Sequence, residues 1–349
     1  MKYYVADCPD YKTVHYWLKD ICKMDGYIEN MKPKNNLPLY QFKDTQLDIQ
    51  QLENSVEDAY TQFGWHGFFN IFGSKAQRFD GYGGLSLTYN KNYRYDIDPL
   101  AQTLGFPRSN APDGLFVEDF GLYHKIMDSG LDKETWQIAQ DEGTHSMLDF
   151  LASNNIISSV QSTEYKKRFE NKTDTNQRIN LDTYSDTWGF NTLTKPAQHG
   201  YLKTIVDRLK RSPVRSRLAQ MRYIETQSTA NVINKFLWHR DDSWFFELRI
   251  NLSITNPENS YGIEIENDNR YTFEPGVWYA WNTDIVHRPY VTHPTPGKTR
   301  TNYVLAINPW FDYLPDENAW VKNQYFGEKH PIDMVIDGDV LDGLQLILS

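Results

Sequence analysis

The sequence predicts an α+β protein, with a β-rich core in the C-terminal half behind a largely helical and irregular N-terminal region. Three observations predict it. From about Arg215 to Asn308, short runs of alternating apolar and polar residues follow one another between turn residues. Before that segment, apolar residues recur at helical spacing in separated blocks. The composition is 40% hydrophobic, 23% charged and 15% aromatic, with 23 Tyr and 10 Trp in 349 residues, enough rings for both a core and the lining of a deep pocket.

The N-terminal region carries helical candidates at Thr13–Met24, Gln46–Phe63, Lys133–Gln140, Met147–Asn154 and His199–Lys210. Between them lie expected loops, Asp80-Gly81-Tyr82-Gly83-Gly84 and Phe106 to Gly114, rich in Gly, Asn, Asp and Pro. The aromatic run Trp65 to Gly73 reads as core packing, with a substrate lid as the alternative. No fixed-period repeat interrupts the chain.

Strand candidates are Arg217–Thr226, Val232–Asp241, Phe245–Ile254, Gly262–Glu266, Arg270–Phe273, Gly276–Asn282, Ile285–Val291 and Arg300–Asn308. Asn267-Asp268-Asn269 and Glu274-Pro275-Gly276 break them. In the third run Phe246, Leu248, Ile250, Leu252 and Ile254 share one face, and Phe245, Glu247, Arg249, Asn251 and Ser253 share the other. The polar face is expected to point into a barrel mouth, with N-terminal helices on the apolar face. Eight short strands in succession suggest a double-stranded β-helix, the cupin-like jelly-roll that manages its edges by folding two sheets together. The expected division is residues 1–195 as a mixed region for substrate recognition and packing, 196–312 as the jelly-roll core, and 313–349 as a C-terminal extension.

The net charge of −10 disfavours nucleic acid, whose phosphates repel a protein of that sign. Two cysteines, Cys8 and Cys22, form neither a disulfide framework nor a thiolate metal site, which suits a reducing, cytoplasmic setting. No run of about 18 apolar residues exists, and the N-terminus lacks the apolar core of a secretory signal, so a soluble, unprocessed chain with no membrane partner is expected. The basic residues Lys203, Arg208, Lys210, Arg211, Arg215, Arg217 and Arg222 read as a solvated face, with a rim for an anionic substrate as the alternative.

His239-Arg240-Asp241 ends a strand candidate with its first and third side chains on one side. Chance supplies about one such H-x-[DE] triplet in a chain of this composition, so its placement carries the argument. His287 follows His239 by 48 residues and opens a later strand just past the Asn282-Thr283-Asp284 turn. Two imidazoles and a carboxylate on one side of a metal leave open positions, the arrangement of non-haem Fe(II) oxygenases. His293 is a rival ligand, set in a proline-rich loop. A dicarboxylate co-substrate needs a fixed cation at its far end, and Arg300 begins the next strand 13 residues after His287. Lys298 competes for that role from the Pro296-Gly297-Lys298 turn, where it is expected to face solvent.

The ordered set His239 to Ile254, Phe273 to Asn282, His287 and Arg300 resembles the aspartyl/asparaginyl β-hydroxylase branch of the 2-oxoglutarate oxygenases. That branch shows H-x-D, an L-R-x-H-L-x-L strand, a W-x-x-G-x-x-x-x-F-x-D segment, a distal His and an Arg on the next strand. The resemblance covers about residues 200–310. It implies iron ligands at His239, Asp241 and His287 and a distal-carboxylate anchor at Arg300. It also implies a pocket arginine at Arg249 beside co-substrate or substrate, and a helping hydroxyl at Ser228. Asn251 stands where many relatives have His, within the same co-substrate pocket, and Trp281-Asn282-Thr283-Asp284 departs from the usual F-D-D. The implied activity is hydroxylation of a C–H bond with Fe(II), 2-oxoglutarate and O2, on an amino-acid residue in a protein, peptide or free amino acid. A nucleobase or small-metabolite dioxygenase and a non-catalytic jelly-roll binding module are the alternatives.

Overall fold

A strand that alternates apolar and polar residues can bury both faces only if a different partner covers each, and the run around Arg249 meets that condition. In the computed structural model the described residues are 2–4, 31–63, 66–70, 77–89, 144–160, 162–163, 191–214, 216–222, 238, 240–241, 243–266, 269–292 and 296–347. Their strands are β1 (Lys2–Tyr4), β2 (Tyr40–Asp44), β3 (His66–Asn70), β4 (Gln77–Ser86), β5 (Thr88–Tyr89), β6 (Thr192–Leu193), β7 (Arg217–Arg222) and β8 (Leu248–Thr255). There follow β9 (Tyr261–Ile265), β10 (Asn269–Thr272), β11 (Val277–Ala280), β12 (His287–Val291), β13 (Thr299–Ile307), β14 (Phe311–Leu314), β15 (Ala319–Lys322) and β16 (Leu344–Leu346). The α-helices are α1 (Ile49–Phe63), α2 (Thr144–Ser153), α3 (Gly200–Asp207) and α4 (Pro331–Ile336).

Among the described residues the chain is mixed α/β with few helices, and the strand pairs are antiparallel. An eight-stranded sheet runs β16-β2-β11-β8-β13-β7-β4-β3, and a three-stranded sheet runs β10-β9-β12. A separate sheet β1-β15-β14 and the short pair β5-β6 complete the set. Strands from residues 1–195 and from 313–349 therefore enter the same large sheet as the expected core.

Two apolar clusters sandwich the large sheet. On one face, Leu248, Ile250, Leu252 and Ile254 of β8 join Trp278 of β11 and Tyr303 and Leu305 of β13 beneath α1, α3 and α4. Helix α1 presents Leu52, Ser55, Val56 and Ala59, the spacing of one helical face, and Asp48 caps it by accepting from the Gln51 N–H at 3.1 Å. Gly200, at φ +48°, lets α3 start against α1, where an added Cβ would lie 2.7 Å from Ser55 Oγ. On the other face, Tyr279 joins Tyr261, Ile263, Ile265 and Val291 of the small sheet. The two sheets thus face each other across residues that alternate with the helix-side set.

The helices expected at Gln46–Phe63, Met147–Asn154 and His199–Lys210 match α1, α2 and α3 within a few residues. Those expected at Thr13–Met24 and Lys133–Gln140 lie outside the described residues, as does the Phe106 to Gly114 loop. Three expectations are corrected. Asp80-Gly81-Tyr82-Gly83-Gly84 is part of β4, where Gly84 lies close against β7; a Cβ there would sit 1.9 Å from the Leu218 carbonyl oxygen. Phe245 is not on the strand: a turn places the Phe246 N–H on the Ser243 carbonyl at 2.9 Å, and Phe245 joins the helix-side core. The basic run is not one solvated face. Lys203 pairs with Asp207 in solvent, whereas Arg208 and Arg211 turn inward to Asp44 and Asp312. The aromatic run contributes β3, while the choice between core and lid for its side chains falls outside the described residues. No helix among the described residues is long and apolar enough to cross a membrane.

Candidate functional site

The polar face of β8 turns toward the small sheet. Asn251 is paired with Tyr279 on one side and Val304 on the other, and Ser253 with Asn302, so these side chains share the interior face. Asn251, Ser253 and Asn302 are all buried there. Burying such groups costs free energy unless they find partners, and here they lie beside the apolar and aromatic residues held between the two sheets.

His287 is the first residue of β12 and is 3% exposed. Its register opposite Ile265, with Val291 opposite Tyr261, puts it on the same interior face as the apolar residues of β9. The preceding turn closes through the Ile285 N–H on the Asn282 carbonyl at 3.0 Å, and the Asn282 side chain accepts from the Asp284 N–H at 3.2 Å. The same turn holds Asp241, whose N–H donates to the Thr283 carbonyl at 2.8 Å. Burial raises the Asp284 carboxyl above its ordinary value, against the charge of Arg240.

The His287 Nδ1 lies 2.8 Å from the Ile285 carbonyl oxygen. A carbonyl only accepts, so Nδ1 donates this bond. The other ring nitrogen, Nε2, lies 3.9 Å from Asp241 Oδ2, too long for a hydrogen bond. The Trp281 ring stands edge-on to the imidazole at 5.8 Å. Among the described residues no group of three or more His, Cys, Asp or Glu side chains gathers as a metal cage. His239, Ser228 and the rival His293 lie outside the described residues.

Arg249 is beside Asp241: its Nη1 donates to Asp241 Oδ2 at 2.7 Å, and its Nε donates to Glu247. Glu247 is 2% exposed and is a site residue that the motif reading missed. Its signal was present, since it shares the polar face of the run with Arg249. Arg300 lies deeper, 3% exposed, with its guanidinium over the Tyr261 ring at 3.6 Å. With the Asn302 amide oriented to suit its neighbours, its oxygen accepts from Arg300 Nη1 at 2.9 Å. Lys298, the competing anchor, is exposed. The levels of His287 and Tyr261 are four residues apart along β12, which is about 13 Å of extended strand. The site is thus an aromatic-lined interior with His287 and Asp241 near one end and a buried guanidinium near the other.

The outer face of the small sheet is different in kind. Glu264 lies between Arg288, at 2.6 Å, and Arg270, at 2.9 Å. Burial acts to raise its pKa, but the two arginines outweigh that and hold it below the ordinary carboxylate value. Arg288 also covers the Trp238 ring at 4.6 Å, which brings the segment before Asp241 alongside β12. Compared with models of known protein families and with curated proteins, the chain matches none.

Proposed function

We propose that the chain is an Fe(II)- and 2-oxoglutarate-dependent dioxygenase that hydroxylates a C–H bond of an amino-acid residue, in a protein, peptide or free amino acid. The observation that carries this reading is the approach of His287 Nε2 to Asp241 Oδ2, 3.9 Å apart at one end of an interior that also buries Arg300.

The strand order supports a jelly-roll. In the large sheet β8 lies between β11 and β13, with β7 beyond, and in the small sheet β9 lies between β10 and β12. Asp241 contacts the turn before β12, and Trp238 lies under Arg288 of β12. From β8 onward the described chain passes from the large sheet to β9 and β10 of the small sheet, back to β11, across to β12 and back to β13, a back-and-forth order that suits that fold.

His239, Asp241 and His287 would hold the iron, two imidazoles and a carboxylate that leave positions for a chelating oxo acid. Bound there, Fe(II) supplies the activation of O2 that converts 2-oxoglutarate to succinate and CO2 and delivers an oxygen atom to the substrate C–H bond. The protein's share is positional. The Ile285 carbonyl keeps His287 in the tautomer that exposes Nε2. Arg300 supplies a planar cationic fork for the far carboxylate, in a pocket screened by Tyr261. Asn251 and Ser253 add neutral polar groups along the co-substrate's length, and Trp281 screens the imidazole from water.

Buried Arg300 and the approach of His287 to Asp241, set into a largely apolar interior, favour an enzyme over a binding module. The alternative of a nucleobase or polyanion substrate loses part of its support, because Arg208 and Arg211 of the basic run pair with Asp44 and Asp312. The test is turnover of 2-oxoglutarate to succinate by purified protein with Fe(II) in air, with Asp241→Ala and His287→Ala as controls. Succinate formation lost in both variants is the expected result. A wild-type protein that binds neither Fe(II) nor 2-oxoglutarate overturns the reading.

A further inference from the structure

Glu247 is a buried acid beside the candidate site that the reaction above does not use. It leaves the turn at Trp244 to Phe246 with its N–H on the Ser243 carbonyl at 3.1 Å, and its side chain is 2% exposed. Two residues along the same face, Arg249 donates Nε to Glu247 and Nη1 to Asp241 Oδ2, the latter at 2.7 Å. One guanidinium therefore spans two carboxylates. Its second contact falls on the same oxygen that faces His287 Nε2 at 3.9 Å.

The charges decide what such a bridge does. Arginine stays charged at every accessible pH, and paired with Asp241 alone it would neutralise the carboxylate and compete with a cation for its oxygen. A second carboxylate on the other edge of the fork shares the guanidinium's charge and leaves the trio with a net charge of one negative unit. We propose that Glu247 is a positioning residue for the metal site, acting through Arg249: it fixes the guanidinium on one oxygen of Asp241 and shares its charge, so that Asp241 remains anionic enough to take a divalent cation. The proposal rests on the metal reading of Asp241 and His287 given above. Outer residues that orient a metal ligand in this way change affinity by about 10–100-fold when replaced.

The test is Co(II) binding to the full chain, followed by calorimetry and visible absorption, with no turnover required. Glu247→Gln keeps the size of the side chain and removes its charge, and it should weaken Co(II) binding by about 10–100-fold. In an Arg249→Met background the same replacement should have no effect, because the path to Asp241 is gone; a structural role for Glu247 would leave the two effects additive. Should Glu247→Gln fail to fold, Arg249→Lys replaces the fork by a point charge that cannot span both acids, and it should weaken Co(II) binding similarly. Wild-type affinity in Glu247→Gln, an undiminished effect in the Arg249→Met background, or wild-type affinity in Arg249→Lys overturns the proposal while leaving the metal reading intact. A wild-type chain that binds no Co(II), or an Asp241→Ala variant that binds it as well as wild type, overturns the metal reading and the proposal with it.

Discussion

Replacing His330 by Asn should flatten the acid side of the stability profile. The His330 ring is 3% exposed and lies between Trp244, at 4.8 Å between centroids, and Phe245, at 5.1 Å. Its Nδ1 accepts from the Ile332 N–H at 3.2 Å, which caps α4 and requires that nitrogen to be unprotonated. Burial lowers its pKa from 6.5 to about 4. Above about pH 6.5 the ring is neutral in both folded and unfolded chains and contributes no pH dependence. As the pH falls through that value the unfolded chain takes up a proton that the folded chain refuses, so stability declines until about pH 4, where the folded ring also protonates. At roughly 1.4 kcal/mol per unit, the full loss is about 3 kcal/mol.

Urea unfolding followed by tryptophan fluorescence, repeated at several pH values from about 7.5 down to 4.5, measures this loss. Asn keeps an oxygen for the Ile332 N–H, so the variant retains the cap and loses the titration. Its packing deficit against Trp244 and Phe245 is a constant offset. The carboxylates held low, Glu264, Asp337 and Asp339, act in both proteins and cancel in the difference. The wild-type curve should fall relative to the variant by about 2–3 kcal/mol across this range. Curves parallel to within about 0.5 kcal/mol would refute the neutral buried ring.

Arg300→Ala should raise the 2-oxoglutarate concentration needed for half-maximal turnover by about 10–150-fold, the worth of a charged hydrogen bond, while the exposed Lys298→Ala leaves it unchanged. If Lys298→Ala carries the effect instead, the anchor is misassigned. Arg208→Ala leaves Asp44 buried without its bidentate partner, now at 2.8 and 2.7 Å, and should cost about 3–5 kcal/mol in urea unfolding. Lys203→Ala, which breaks an exposed pair, should change the same measurement by less than about 1 kcal/mol. Gly262→Ala would put a Cβ 2.0 Å from the Tyr271 carbonyl oxygen and should cost about 3 kcal/mol or more by forcing β9 from β10. Gly276→Ala meets no atom within 4 Å and should cost only the strain of φ +82°, about 1–2 kcal/mol. Equal melting temperatures for the two glycine variants would contradict this contrast.

Local pattern accounts for what the sequence by itself determined. The alternation from Leu248 to Ile254 assigns one face of β8 to a core, because side chains of an extended strand repeat every second residue. The spacing of Leu52, Val56 and Ala59 with Asp48 ahead of them defines α1, and the Asn282 turn sets His287 at the head of its strand. Tertiary structure decided what no local pattern carries. Asp44 meets Arg208 across 164 residues, and β16 joins β2 across three hundred, because pairing at the edge of a sheet depends on which strands remain unsatisfied after the centre has formed. The glycines of β4 resemble a loop in sequence, yet only the backbone of β7 explains Gly84. The same holds at the site. The residues of the motif were legible, but the shared hold of Asp241 and Glu247 on Arg249, and the approach of His287 to Asp241, depend on the folded arrangement. Charge and hydrogen-bond geometry act through space, and only the folded chain fixes those distances.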